Sequence, residues 1–276
     1  MSLATVLSTV DGWPVPDVAV AVVSPQGVLA THGPTDRVFP LASVTKPLVA
    51  LASLVAVEEG AVDLSDAADE HLVPGATIRH LLAHASGLAP ERPLRSFAPA
   101  VRRVYSNVGI DLLAALVETG VEMPFTTYFD QAVVKPLGLS GTSLPGSAHA
   151  GGLSTVDDLA RVVHELLAPA GLLHTSTIAD ATSVQYPGLR GVLPGFGPQD
   201  PNDWGLGFEI RGAKHPHWTG SRNSPRTYGH FGQSGTMFWI DPDARLGVVA
   251  LADQAFGEWA ARAWPAISDA VLETAR

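Results

Sequence analysis

The chain reads as an α+β fold in which an antiparallel sheet is assembled from both ends of the sequence and a helical lobe is inserted between them. Three observations predict it. Strand-like apolar runs gather near the N terminus and again beyond Asn202, the stretch from Ala61 to about Asn202 is helical segments cut by Pro and Gly, and Trp259 to Thr274 reads as a closing helix. Strands at the ends with helices in the middle imply one lobe of about residues 1–60 and 203–276 and a second of about residues 61–202 within a single domain. The cleft between two such lobes is the natural place for a ligand.

Each element has a local reason. Val18–Val23 and Val28–Thr31 flank Ser24-Pro25-Gln26-Gly27, whose turn residues mark a hairpin. Every residue from Pro47 to Val57 is apolar or small, so this helix is apolar all round and must run through the core until Gly60 ends it. Ile110–Val121 carries Leu112, Leu113, Leu116 and Val117 on one stripe, and Val156–Leu167 is the next clear helix. Its Asp157-Asp158 pair, after Ser154-Thr155, reads as first-turn charge matched to the helix dipole. Trp204–Ile210 reads as a strand, and Met237–Ile240 pairs with Leu246–Leu251 across Asp241-Pro242-Asp243-Ala244. Trp204, Phe208, Phe238 and Trp239 are then strand residues packing the core.

Composition narrows the function. At 276 residues and 46% hydrophobic, the chain buries a substantial core. A net charge of −10 argues against nucleic acid and anionic membrane as partners, because both require basic surfaces. The mildly basic stretch from Arg211 to Arg226 reads as a solvated loop. With no cysteine there is neither a disulfide nor thiol chemistry. Met1–Val10 lacks the basic start of an export signal, so the expected address is cytoplasmic if that terminus is native. His80 and His84 lie four apart, but Leu81 stands where a zinc peptidase carries glutamate; His215-Pro216-His217-Trp218 lacks a nearby third ligand. No phosphate or dinucleotide loop is present, and no metal or cofactor is expected.

The chemistry gathers in three places. Ser43-Val44-Thr45-Lys46 puts a hydroxyl and an amine three apart, on one face of a helix, where Lys46 meets the Ser43 hydroxyl. Serine is a weak nucleophile at neutral pH and needs an adjacent base; an amine at the mouth of a core helix is partly desolvated, which lowers its proton affinity. Tyr105-Ser106-Asn107 stands on a loop entering a helix, with Tyr105 and Asn107 facing one way. Gly229-His230-Phe231-Gly232-Gln233-Ser234-Gly235 leads into a strand, with His230 and Gly232 on one face. A glycine there marks close approach by another backbone, a substrate being one candidate.

In this order the three motifs resemble the serine β-lactamase and penicillin-binding-protein superfamily, in its class C β-lactamase-related branch of esterases, D-amino-acid peptidases and related hydrolases. Thr77–Leu88, Gly151–Ala160 and Trp204-Gly205-Leu206-Gly207 extend the likeness from about Val18 to the C terminus. The resemblance implies a β-lactamase/transpeptidase-like fold with terminal helices flanking the sheet. It implies Ser43 as the acylated nucleophile, Lys46 as its proton partner, Tyr105 as a proton carrier to the leaving group, and Asn107 holding Lys46 and a substrate carbonyl. The Ser43 and Gln233 amides would form the oxyanion hole. Lys46 and Tyr105 both start near pKa 10, so the base stays open between them. Two departures bear on substrate: His230 stands where β-lactamases commonly carry lysine, and only the sixteen residues Ala89–Val104 precede Tyr105, which implies a more open cleft. A small ester or amide is the expected substrate, with a β-lactamase or D,D-peptidase and an inactive binding scaffold as alternatives.

Overall fold

The structure is a computed structural model describing residues 1–275. Its elements in chain order are α1 (Leu3–Leu7), β1 (Val18–Ser24), β2 (Gly27–His32), β3 (Phe39–Pro40), α2 (Thr45–Glu58), α3 (Ile78–Leu82), α4 (Asn107–Val121), α5 (Phe125–Phe129) and α6 (Lys135–Leu137). Then follow β4 (Leu153–Ser154), α7 (Val156–Leu167), α8 (Thr175–Ala181), β5 (Gly191–Leu193), β6 (Gly197–Gln199), β7 (Glu209–Ile210), β8 (Tyr228–Gly232), β9 (Thr236–Asp241), β10 (Leu246–Ala252) and α9 (Glu258–Thr274). The main sheet has the order β2-β1-β10-β9-β8-β7, antiparallel throughout, so the chain's two ends meet at the β1–β10 pair, with Val20 opposite Ala250.

Alternation along the central strands explains the layering. Ala19, Ala21 and Val23 of β1 face one core with Phe238, Ile240, Val249 and Leu251, packed by α2 and α7. Val18, Val20 and Val22 face the other with Met237, Trp239, Val248 and Ala250, covered by α1 and α9. Both faces are buried, which is why these strands read as unbroken apolar runs. Trp239 Nε1 donates to Ser268 Oγ (2.9 Å), tying α9 to the sheet.

Two expectations change here. Helix α7, expected within the inserted lobe, packs on the sheet against β1 and β10. Its Asp158 is buried and accepts hydrogen bonds from Gly141 N–H (2.7 Å) and Thr142 Oγ1 (2.8 Å), so the carboxylate ties a loop to the helix start in addition to sitting in its first turn. The strand expected over residues 204–210 shortens to β7. Leu206 N–H donates to the Ala181 carbonyl and Gly207 N–H to the Leu82 carbonyl, spending on the helical lobe the backbone groups a strand would have paired. Gly207, at φ +84°, turns the chain there. Trp204 and Phe208 are therefore buried loop residues, not strand residues. Among the described residues, no helix is long and apolar enough to cross a membrane.

Candidate active site

Ser43 lies on a 3₁₀ turn, Ala42–Val44, that leads into α2. Ala42 holds φ +46°, a left-handed conformation costly for a residue with a Cβ, so the turn must be imposed by its surroundings. Those surroundings come from the far end of the chain. Ser234 Oγ donates to the Pro40 carbonyl (2.6 Å) and Thr236 Oγ1 to the Leu41 carbonyl (2.8 Å). A Cβ on Gly232 would stand 2.2 Å from that same Leu41 oxygen. The backbone for which Gly232 makes room is thus the nucleophile turn itself rather than a substrate.

Lys46 is fully buried, and its Nζ donates to Ser43 Oγ (3.1 Å) and to the His149 carbonyl (2.9 Å). The amine also lies 4.6 Å from the centre of the Tyr105 ring. Burial lowers its pKa to about 7, against the opposing pull of Asp111 and Glu91. Burial pushes the Tyr105 phenol upward, only partly offset by hydrogen bonding to Ser43, so it stays protonated. Tyr105 borders an aromatic floor with His84 (4.7 Å between centroids), Trp204 (5.7 Å) and His230 (5.8 Å).

The His230 ring is neutral, because burial, reinforced by nearby Lys46, brings its pKa down to about 3. Its Nδ1 donates to the Phe231 carbonyl (2.7 Å), which leaves Nε2 as a bare acceptor with no partner among the described residues. His84 carries the opposite tautomer: Nδ1 accepts from Ser106 N–H (3.2 Å), leaving the proton on Nε2. Gln233 is exposed at the rim; its side-chain Nε2 donates to the Phe256 carbonyl (3.4 Å), while its backbone N–H makes no hydrogen bond among the described residues. The Ser43 amide belongs to the first turn of its helix, where N–H groups lack helical partners.

A cavity of about 250 Å³ joins Ser43, Tyr105, Asn107, Trp204, His230 and Gln233. The short connection before Tyr105 does not leave this side open: it folds back, the Pro90 carbonyl accepts from Asn107 N–H (2.9 Å), and Glu91 lines the mouth. Leu193 and Pro194, from the β5–β6 hairpin, also line it. A larger open groove of about 600 Å³, between the β1–β2 turn and α7, has no serine or threonine among the described residues that line it.

Asn107 lines the cavity but makes no hydrogen bond to Lys46 among the described residues, contrary to one part of its expected role. Its Nδ2 donates to Glu91 Oε1 (2.7 Å), and the second partner of Lys46 is the His149 carbonyl instead. The Arg211–Arg226 stretch is also not a solvated loop throughout. Lys214 and His217 are buried around Glu209, which accepts from Lys214 Nζ, His217 Nε2 (3.0 Å) and Trp218 Nε1 (2.6 Å). Burial alone would raise the Glu209 carboxyl, but His217 and Lys214 outweigh it and hold it well below the usual range. Glu209 reaches the same cavity from behind.

The beta-lactamase family model matches residues 10–272. The chain belongs to that family. Solved structures agree in fold: a beta-lactamase from Mycobacterium bovis is 55% identical over 98% of this chain and 99% of its own, with a TM-score of 0.95. EstCE1, described as a hydrolase with promiscuous acyltransferase activity, is 20% identical over 98% of this chain and 97% of its own, with a TM-score of 0.81. In sequence, a Salmonella agona (strain SL483) protein whose name proposes a D-alanyl-D-alanine carboxypeptidase is 24% identical over 82% of this chain and 71% of its own length. The protein has a beta-lactamase fold and belongs to a family of hydrolases.

Around the family's motif positions stand residues that sequence reasoning passed over. His84, one of the two histidines spaced four apart, packs against Tyr105 beneath the cleft, while His80 caps α3 through Thr77 and stacks on Tyr186. Trp204 is a wall of the cavity as well as a core residue. Glu91 comes from a loop, and Leu193 and Pro194 from the end of β5 and the turn after it, with no local signature. Asp111, by contrast, was legible in principle: it lies four residues after Asn107, on the same face of α4.

Proposed function

We propose that the protein is a serine hydrolase that forms an acyl-enzyme at Ser43 and prefers small, uncharged acyl esters. The observation that carries this reading is the 3.1 Å contact between Ser43 Oγ and a fully buried Lys46 whose pKa lies about 7. A neutral amine at that distance takes the hydroxyl proton as Oγ attacks the ester carbonyl. Tyr105 stays protonated, so no phenolate is available to serve as the base; its hydroxyl passes a proton to the far more basic departing alkoxide as protonated Lys46 returns one to it. Water then attacks the acyl-enzyme and releases the acid. The Ser43 and Gln233 amides are the candidate oxyanion donors, each worth about 2.7–4 kcal/mol in comparable sites.

The preference for uncharged esters rests on charge at the cavity. His230 is neutral where a fixed cation would attract a carboxylate, and Glu91 at the mouth repels one. Beyond Glu91 and Pro194 the cavity adjoins a groove of about 380 Å³ whose walls are Phe97, Val104 and Val192 beside the arginines Arg102 and Arg103, and its apolar side is suited to a hydrocarbon acyl chain. A β-lactamase or D,D-peptidase activity is the second reading, favoured by the names of the Mycobacterium bovis and Salmonella agona relatives.

The experiment is a turnover screen of p-nitrophenyl acyl esters, nitrocefin and D-aminoacyl amides beside a Ser43→Ala control, with intact mass after fluorophosphonate treatment. One adduct on Ser43 and a higher kcat/KM on esters are expected. Better turnover of nitrocefin would transfer the assignment to the second reading, and an adduct on another residue would remove Ser43 from both. His230→Lys should tighten binding of carboxylate-bearing ligands.

A further inference from the structure

The amine of Lys46 has two hydrogen bonds, and the one to the His149 carbonyl decides how the other is aimed. A lysine head on a flexible four-carbon stem is steered only when a second acceptor limits its rotation. What holds that acceptor is a carboxylate on α4. Asp111 accepts from both the backbone N–H of His149 (3.2 Å) and its Nδ1 (2.7 Å). Three residues later, Gly152 N–H donates to Thr45 Oγ1 (2.9 Å) and the Gly152 carbonyl accepts from Leu41 N–H (2.9 Å). Residue 149 is therefore fixed by α4 on one side and, through Gly152, by the start of α2 on the other.

We propose that Asp111 and His149 are a positioning pair for Lys46, holding the carbonyl that steers its amine onto Ser43 and setting a negative charge beside it. Neither residue touches the reacting atoms. The inference rests on the reading of Lys46 as the base. Other groups face the amine too: Glu91 from the connection before α4, Tyr105 at its end, His84 after α3 and His230 on β8. Both histidines are held neutral by burial, so Asp111 and Glu91 are the charges that favour protonated Lys46. Removing the Asp111 charge must then make Lys46 easier to deprotonate. The acid limb of any reaction needing the neutral amine moves to lower pH.

The test measures the second-order rate of Ser43 phosphonylation by a fluorophosphonate across pH 5.5–9 in the wild type, Asp111→Asn, His149→Ala and Lys46→Ala proteins. Asp111→Asn should lower the plateau about three- to tenfold, the worth of one hydrogen bond, and shift the acid limb down by about half a pH unit or more. His149→Ala keeps the charge and should lower the plateau with the limb in place, which keeps the pair testable if Asp111→Asn folds poorly. A slower Asp111→Asn with an unmoved limb would reduce Asp111 to a structural role and overturn the proposal. So would an unchanged plateau in both variants. If wild type lacks a limb between pH 6 and 8, or Lys46→Ala retains its rate, the reading of Lys46 itself fails, a result distinct from failure of the pair alone.

Discussion

At the scale of the residue, Lys46 is where burial becomes chemistry. An amine that titrates in water near 10.4 is of little use as a base at neutral pH; enclosed at the start of α2 it titrates at about 7 and is close to half neutral there. In the folded protein Lys46 binds fewer protons than in the unfolded chain between about pH 7 and 10.5, so its contribution to stability rises with pH across that window. Activity should therefore climb between pH 6 and 8 as the amine loses its proton, and a pH–kcat/KM profile checks this. Tyr105, pushed the other way, contributes no such limb. Because the two side chains act on one serine, Lys46→Ala and Tyr105→Phe should each depress kcat strongly, and the double variant should be little worse than the poorer single one. Losses that simply multiply would show two independent groups instead of one unit.

At the scale of the element, the segment after β7 is the least expected part of the molecule. Its basic, proline- and glycine-rich sequence suggests solvent, yet Lys214, His217 and Trp218 fold over the single carboxylate of Glu209. Sequence periodicity has no term for this, because the driving force is pairwise satisfaction of a buried charge between residues five to nine positions apart. The consequence is high sensitivity: removing one partner leaves an uncompensated charge in the interior. Lys214→Ala should destabilise the fold by about 3–5 kcal/mol. Urea denaturation at pH 7 measures it, and a loss under about 1 kcal/mol, the range of an exposed pair, would contradict the buried assignment.

At the scale of the whole molecule, the cavity is a product of assembly. Ser43 comes from the start of the first core helix, Tyr105 and Asn107 from the inserted lobe, His230 and Gln233 from the end of the sheet, and Leu193 and Pro194 from a hairpin that covers them. The adjoining groove, with Phe97 and Val192 on its walls, gives this architecture a measurable signature. Val192 is half exposed, so Val192→Asp should spare the fold. It should leave kcat/KM for a p-nitrophenyl acetate unchanged while lowering it several-fold for an octanoate, at about 0.8 kcal/mol per methylene no longer buried. Equal effects on the two esters would place the acyl chain elsewhere.

Local chemistry was legible in the sequence wherever neighbours along the chain are neighbours in space. The Ser43 and Lys46 spacing, the apolar helix behind it, the β1–β2 and β9–β10 hairpins and the closing helix all depend on contacts a few residues apart, and the three motifs in order carried the family. The tertiary structure alone decided the rest. It redirected Asn107 to Glu91, gave Lys46 the His149 carbonyl held by Asp111, and used Gly232 to admit the nucleophile turn. It also moved α7 onto the sheet and buried Lys214. The physical reason is common to these cases. Hydrophobic periodicity records which face of an element is buried, whereas a buried polar group is settled only by whichever distant donor or acceptor the folded chain brings within reach.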